Sequence, residues 1–179
     1  PAYVVAESLQ LGTPETDTSY AVTTDALGNV YLVGDTTGVL GTANAGGSDI
    51  FVTKRDTDGN EVWTTQLGSD QPDYAHAVTV DASGAVYVVG STSGDLGGTH
   101  GGSDIHLSKL SANGEVFWTE QIGTVTADDS VGVAVGPSGE IYICGGSRGD
   151  LGGTNAGDWD AVLCKFDSDG NQLWIAQIG

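Results

Sequence analysis

Methionine is absent from the 179 residues, lysine and arginine together number five, proline four and cysteine two. Each scarcity excludes something. A nucleic-acid surface needs clustered Lys and Arg to displace counterions from phosphates, and five scattered cations cannot supply one. Attachment to an anionic membrane surface fails for the same reason. No apolar run approaches the ~20 residues of a membrane-spanning helix, so membrane insertion is not expected. The first residues, Pro1-Ala2-Tyr3, carry neither a basic segment nor a cleavage site, so a targeting signal is expected to be absent or already removed. No helical period appears in the apolar residues. Two cysteines cannot form a zinc site alone. Cys144 and Cys164 stand where other copies of a repeat have Val33 and Val89, and Thr53 and Ser108. They read as ordinary strand positions, and a disulfide between neighbouring strands stays open at this level.

What the chain has is acid and glycine. There are 24 acidic residues, 18 of them Asp, for a net charge of −19, and 29 glycines. The acidity favours solubility and attracts cations or basic partners, as suits salty or calcium-containing surroundings. Glycine among Val, Thr, Ile, Leu and Tyr suits short strands joined by tight turns.

The sequence repeats three times. Residues 49–68, 104–123 and 160–179 each read as an apolar run, a Gly-containing turn and a second apolar run that carries a Trp and closes on Gln-Leu-Gly or Gln-Ile-Gly. That is a β-hairpin signature. Trp63, Trp118 and Trp174, Lys54, Lys109 and Lys165, and Tyr31, Tyr87 and Tyr142 recur in step. Before each hairpin lie two further strand patterns, at 20–24 and 30–34, 76–80 and 86–90, and 131–135 and 141–145. A long Gly-, Thr- and Asn-rich loop follows each pair. A four-stranded antiparallel unit of this length in tandem predicts a β-propeller rather than a leucine-rich or β-helical solenoid. The expected organisation is an all-β array of three four-stranded blades, at 13–68, 69–123 and 124–179. Residues 1–12 form an orphan strand equivalent to the last strand of a preceding blade, because they too end in Gln-Leu-Gly.

The residues Asp25, Gly28-Asn29-Val30-Tyr31, Val33-Gly34, Gly46-Gly47-Ser48-Asp49-Ile50-Phe51-Val52, Lys54 and Asp58-Gly59-Asn60 with Trp63 carry a family resemblance. The pattern resembles the bacterial "seven-bladed β-propeller" (SBBP) repeat, over essentially residues 12–179. The resemblance implies a secreted or cell-surface bacterial propeller. Three units are fewer than the family name promises, so the end blades are expected to be covered by further blades or by another copy. A bare blade face of ~5-residue strands amounts to roughly 300 Å² in projection.

Several constellations invite chemistry. Gly145-Gly146-Ser147-Arg148-Gly149 matches G-x-S-x-G in form, but a loop rather than a helix follows it, so no nucleophile elbow is expected. Asp56 with Asp58, and Asp167 with Asp169, resemble a calcium loop without its Gly and Glu positions, and a hairpin turn explains all three copies, including the middle one that lacks both aspartates. Calcium is therefore the one cofactor held open. Asp49, Asp104 and Asp160, the three lysines and the three in-step tryptophans are read as blade-building parts, through Lys–Asp pairs, loop-anchoring hydrogen bonds and inter-blade packing. His76, His100 and His106 do not recur and share no ligand spacing. Trp159 breaks the repeat at a position held by Ser48 and Ser103, which marks it either as a local packing residue or as a candidate contact residue together with Tyr3, Val4, Val5, Leu9 and Leu11 of the orphan strand. Twelve of the aspartates, including Asp35, Asp70, Asp95, Asp129, Asp150 and Asp158, fall on the long-loop side. The expected function is a non-catalytic extracellular structural or interaction module that joins other copies or further blades. The alternative is calcium or glycan binding by the acidic loop face.

Overall fold

The computed structural model describes residues 10–98 and 101–179. Twelve strands and no helix form there. Blade 1 consists of β1 (Asp17–Thr24), β2 (Val30–Thr36), β3 (Asp49–Arg55) and β4 (Glu61–Leu67). Blade 2 consists of β5 (Asp73–Val80), β6 (Val86–Thr92), β7 (Asp104–Leu110) and β8 (Val116–Ile122), and blade 3 of β9 (Asp128–Val135), β10 (Ile141–Ser147), β11 (Asp160–Phe166) and β12 (Gln172–Ile178). Each sheet is antiparallel with its strands side by side in chain order. This is the all-β propeller-type array that the repeat predicts. The inner strands β1, β5 and β9 pack on one another in succession, and the three sheets are not closed into a ring.

Local chemistry fixes each hairpin. Asp25 Oδ1 accepts hydrogen bonds from the Leu27 and Asn29 amides at 2.9 and 3.0 Å, and Gly28 follows at φ +84°. The same turn closes β3–β4 around Asp56 and Gly59, also at φ +84°. A side-chain oxygen that mimics a backbone turn, followed by a left-handed residue, is a hairpin stop that a glycine adopts at no steric cost.

The first strand of every blade begins three residues earlier than the apolar alternation predicts. The pairing slips by one residue between Ser19 and Ala21, between Ala75 and Ala77, and between Ser130 and Gly132. Tyr20, His76 and Val131 are thus the extra residues of three equivalent β-bulges, and a bulge breaks the period of two from which the strand was read. The glycine of each Val-Gly or Cys-Gly pair sits opposite. A Cβ on Gly34, Gly90 or Gly145 would lie 1.9, 1.8 or 2.0 Å from the carbonyl oxygen of Thr18, Tyr74 or Asp129. No other residue fits there.

The apolar core lies between blades rather than within them. Tyr31, Val33, Ile50 and Val52 of blade 1 pack on Ala75, Val86, Val88 and Leu110 of blade 2. Tyr87, Val89, Ile105 and Leu107 on the other face of blade 2 pack on Ile141, Ile143, Val162, Cys164 and Phe166 of blade 3. Blade 3 repeats the first set as Tyr142, Cys144, Ala161 and Leu163, and there Cys144 and Ala161 are exposed and Leu163 is 38% exposed. Cys144 opposes Leu163 while Cys164 opposes Ile143, so the two thiols lie on opposite faces of the sheet and both are free. Of the predicted orphan strand, Tyr3, Val4, Val5 and Leu9 lie outside the described residues. Residues 10–12 carry no strand, and Leu11 lines a small cavity with Leu32, Leu40 and Phe51.

Repeat-equivalent leucines in unequal surroundings give a direct test. Truncating fully buried Leu107 to Ala is expected to cost about 2–5 kcal/mol by lost transfer energy and cavity formation. Leu163→Ala at the open position is expected to cost under about 1 kcal/mol. Urea unfolding of the two variants measures the difference, and equal costs would contradict the inter-blade location of the core.

Candidate functional site on the inner bulges and the open face of blade 3

The repeated polar residues are occupied in holding the blade together. The Gln of each closing Gln-Leu-Gly or Gln-Ile-Gly binds the long loop from inside. Gln66 Nε2 donates to the Gly38 carbonyl at 2.9 Å and to Asp49 Oδ2 at 3.0 Å, while its Oε1 accepts the Leu40 amide. Gln121 and Gln177 repeat this with Asp104 at 2.7 Å and Asp160 at 3.1 Å. Asp17, Asp73 and Asp128 cap the inter-blade links by accepting the amides of Thr13, Ser69 and Thr124, each at 2.5 Å. Of the twelve loop-side aspartates, Asp35, Asp49, Asp73, Asp104, Asp128 and Asp160 are buried. Asp70, Asp95, Asp150 and Asp158 are exposed, and Asp158 pairs with Arg148.

The lysines depart from the expected Lys–Asp pairs. Lys54 lies 4.0 Å from Asp25 and Lys165 lies 3.7 Å from Glu140, but Lys109 donates to the Ser168 carbonyl of blade 3 at 2.7 Å. What recurs is the ring beneath the cation. Lys54, Lys109 and Lys165 sit 5.0, 5.4 and 5.2 Å from the centroids of Tyr31, Tyr87 and Tyr142. Register explains this, because each Tyr, Lys and Trp form one cross-strand row, as in Tyr31, Lys54 and Trp63. Trp63 also reaches across to blade 2, donating Nε1 to the Ala112 carbonyl at 3.0 Å.

The turn aspartates behave as turn residues. Asp56 accepts hydrogen bonds from Asp58 N, Asn60 N and Asn60 Nδ2 at 2.8–2.9 Å, and Asp167 makes the matching three from Asp169 and Asn171. Those bonds hold both carboxylates below the usual range, the bond from the Asn side chain most of all. Asp58 and Asp169 are exposed. Among the described residues no group of three or more His, Cys, Asp or Glu is placed to hold a metal ion. Ser147 of the G-x-S-x-G match is fully buried at the end of β10 and exchanges hydrogen bonds with the Gly149 backbone.

The non-repeating polar residues collect on the inner bulges, which the strand pattern hides. His76 Nδ1 lies 2.7 Å from the Ser130 carbonyl and 3.1 Å from Asp129 Oδ1. Two acceptors on one nitrogen place its proton at Nδ1. The hydrogen bond to Asp129 raises the His76 pKa, against burial, and the pair ties blade 2 to blade 3. Tyr20 meets the His76 ring edge-on, with centroids 6.3 Å apart. His106 is fully buried where blade 1 has Phe51 and blade 3 has Val162. It bonds through Nε2 to the Tyr74 carbonyl at 3.2 Å and leaves Nδ1 without a partner. It is therefore neutral, with its pKa pushed down to about 4 by burial. His100 lies outside the described residues. The readable signal for the bulges is that one repeat position carries three unlike residues, Tyr20, His76 and Val131.

Trp159 borders the open face of blade 3. A Cβ on Gly146 would lie 2.9 Å from its ring, and the Arg148 guanidinium stands 5.2 Å from the ring centroid while bonding Asp158 at 3.0 Å. In blade 1 the equivalent pair is Ser48 donating to Asp35 at 3.0 Å, so a large residue and a glycine have replaced a small residue and an acid. Trp159 is 46%, Trp174 41% and Leu163 38% exposed.

Sheets of four strands that stack face to face and share their cores define a β-propeller scaffold. The repeat is that of a known family: residues 8–41 and 62–97 match the model of the SBBP β-propeller repeat, and the chain carries that repeat. The chain is also 31% identical over 172 residues to a protein named Regulatory protein FlaEY from Caulobacter vibrioides, an alignment covering 83% of this chain. The chain spans 18% of that relative's length.

The two histidines respond to pH with opposite signs. His106 has a folded pKa below its unfolded value of 6.5, so its contribution is present above pH 6.5 and is lost as pH falls toward 4. His76 has a raised folded pKa, so its contribution is present below 6.5 and is lost as pH rises through the folded value. Between pH 7 and pH 5, His106 is expected to remove about 2 kcal/mol of stability. Urea unfolding at both pH values should find that His106→Phe abolishes most of this loss and His76→Gln enlarges it. An unchanged pH dependence in the Phe variant would contradict the assignment of His106 as buried and neutral.

Proposed function

We propose that the chain is a non-catalytic structural and interaction stretch of an extracellular bacterial propeller. Its working surface is the open face of blade 3, which seats a further blade of the same repeat. One observation carries this reading. Val33, Ile50 and Val52, and Val89, Ile105 and Leu107, are fully buried beneath the following blade, whereas the equivalent Cys144, Ala161 and Leu163 are open. A contiguous apolar sheet face of this kind marks an interaction surface. The further blade comes from a longer chain or from a second copy. The greater length of the Caulobacter relative supports the first source. That relative is named a regulatory protein, which agrees with a scaffold that acts through contacts. The charge of −19 and the lack of basic clusters weigh against nucleic acid as the partner.

The reading is tested by extending the chain after Gly179 with a second copy of residues 13–68, which continues the repeat in phase. A docked fourth blade is expected to shift the Trp174 fluorescence to the blue. It should also raise the melting temperature by about 5–10 °C, at about 2–4 °C per kcal/mol for a chain of this size. An added blade that leaves both quantities unchanged would sink the proposal.

A further inference from the structure

The positions that break the repeat along the inner strands gather in one place. Tyr20, His76 and Val131 are equivalent, as are Thr18, Tyr74 and Asp129, and Asp35, Ser91 and Gly146. The packing brings together the polar and aromatic members of these rows. Tyr20 meets the His76 ring edge-on with centroids 6.3 Å apart, and His76 Nδ1 lies 3.1 Å from Asp129 Oδ1. The Asp35 carboxylate faces the same two rings. Burial and the Asp35 charge raise the Tyr20 pKa, and the bond to Asp129 and again the Asp35 charge raise that of His76. The Tyr74 hydroxyl is close enough to act on Tyr20 as well. The cluster draws Tyr20 and Asp35 from blade 1, Tyr74 and His76 from blade 2, and Asp129 from blade 3.

Two features of this cluster serve no packing purpose. Asp35 is 6% exposed, and its Oδ2 accepts the Ser48 hydroxyl at 3.0 Å, but its Oδ1 is buried without a hydrogen-bond partner. An unpaired buried carboxylate oxygen is costly, and a cation placed at it offsets that cost. Beside it Tyr20 is 52% and Tyr74 37% exposed, which is the aromatic surface on which an ammonium group rests. Among the described residues no three His, Cys, Asp or Glu are placed to hold a metal ion, which favours an organic cation. We propose that Asp35, Tyr20, Tyr74 and the His76–Asp129 pair form a binding site for a primary alkylammonium group, the head of a lysine side chain or of a polyamine. The ammonium donates to Asp35 Oδ1 and lies against the tyrosine rings. This site stands apart from whatever the face of blade 3 seats. His76 competes with the ligand, because the protonated imidazole is itself a cation that answers both carboxylates. The titratable groups facing His76 are Asp35, Asp129, Tyr20 and His106, and His106 is held neutral with its pKa at about 4. His76 is therefore the group that changes charge near neutral pH, so binding tightens as pH rises and releases a proton from the imidazole.

The test is calorimetric titration of the full chain at an ionic strength of about 0.15 M, which screens general attraction to the acidic surface. Nα-acetyl-lysine amide stands for a lysine side chain, spermidine for a polyamine, and Nα-acetyl-norleucine amide is the uncharged control. One of the two amines is expected to bind at one per chain, which identifies the source, and the norleucine compound is expected not to bind. Asp35→Asn should weaken binding about tenfold and Tyr20→Leu about threefold. Asp58→Asn, which removes an exposed carboxylate from the β3–β4 turn, should leave it unchanged. Raising the pH from about 5.5 to about 8.5 should tighten binding about tenfold in the wild type and leave His76→Gln unaffected. Tyr20→Leu changes a half-exposed position, so it decides the matter if Asp35→Asn fails to fold. Failure of both amines to bind at up to about 10 mM would overturn the inference. So would equal losses in Asp58→Asn and the site variants, or a pH dependence that survives in His76→Gln.

Discussion

Burial of apolar surface between sheets is the constraint on which the rest of this molecule depends. A single four-stranded blade has two apolar faces and no thickness in which to hide either, so each blade becomes stable through its neighbours. The consequences run through the sequence. Both faces of β7 are buried, giving a nearly continuous run from Asp104 to Ser108 with no solvent side, whereas Ala161 and Leu163 of β11 alternate with buried Val162 and Cys164. The difference lies in what stands beside the strand, since the residue types at the two sites are similar.

A second constraint acts on the backbone. The bulges on β1, β5 and β9 bring carbonyls so close to β2, β6 and β10 that Gly34, Gly90 and Gly145 admit no side chain. In exchange the scaffold releases Tyr20, His76 and Val131 from the alternation that governs the strand. These positions vary among the blades while their surroundings repeat. That is how the same scaffold can carry a His76–Asp129 bond at one junction and an aromatic contact at another. Loop anchoring by Gln66, Gln121 and Gln177 is the opposite case: three identical residues each accept a loop leucine amide and donate to a loop glycine carbonyl and an aspartate.

The repeat makes much of this legible in the sequence. In-step Trp, Lys, Tyr and Gly residues give the blade count and the four-strand order, because a repeated fold needs the same knob, hinge and turn at each pass. The hidden parts are those whose partners lie across a junction or whose strand breaks its period. The step from the acceptor pair Asp129 and Ser130 back to His76 follows no repeat spacing. A buried His106 reads in sequence as a polar alternate to Phe51 and Val162, and only the packed junction shows that it is neutral. Lysine beside aspartate in the repeat suggested ion pairs, yet the shared partner is a tyrosine ring one strand away, since cross-strand register rather than chain proximity sets the contact. Trp159 is legible as a break in the repeat, but its compensating Gly146 is not, because their meeting depends on the pairing of β10 with β11.

The junction in which Trp63 reaches the β7–β8 turn of blade 2, repeated by Trp118 over the β11–β12 turn of blade 3, runs one way, from the outer strand of one blade to the third–fourth strand turn of the next. An evolutionary consequence follows. Unequal crossing-over between repeats can lengthen or shorten such a chain by whole blades, and every new boundary inherits a working contact without a single compensating substitution. Copy number can therefore drift under weak selection, while the residues at a junction, which serve every boundary at once, stay bound to one another.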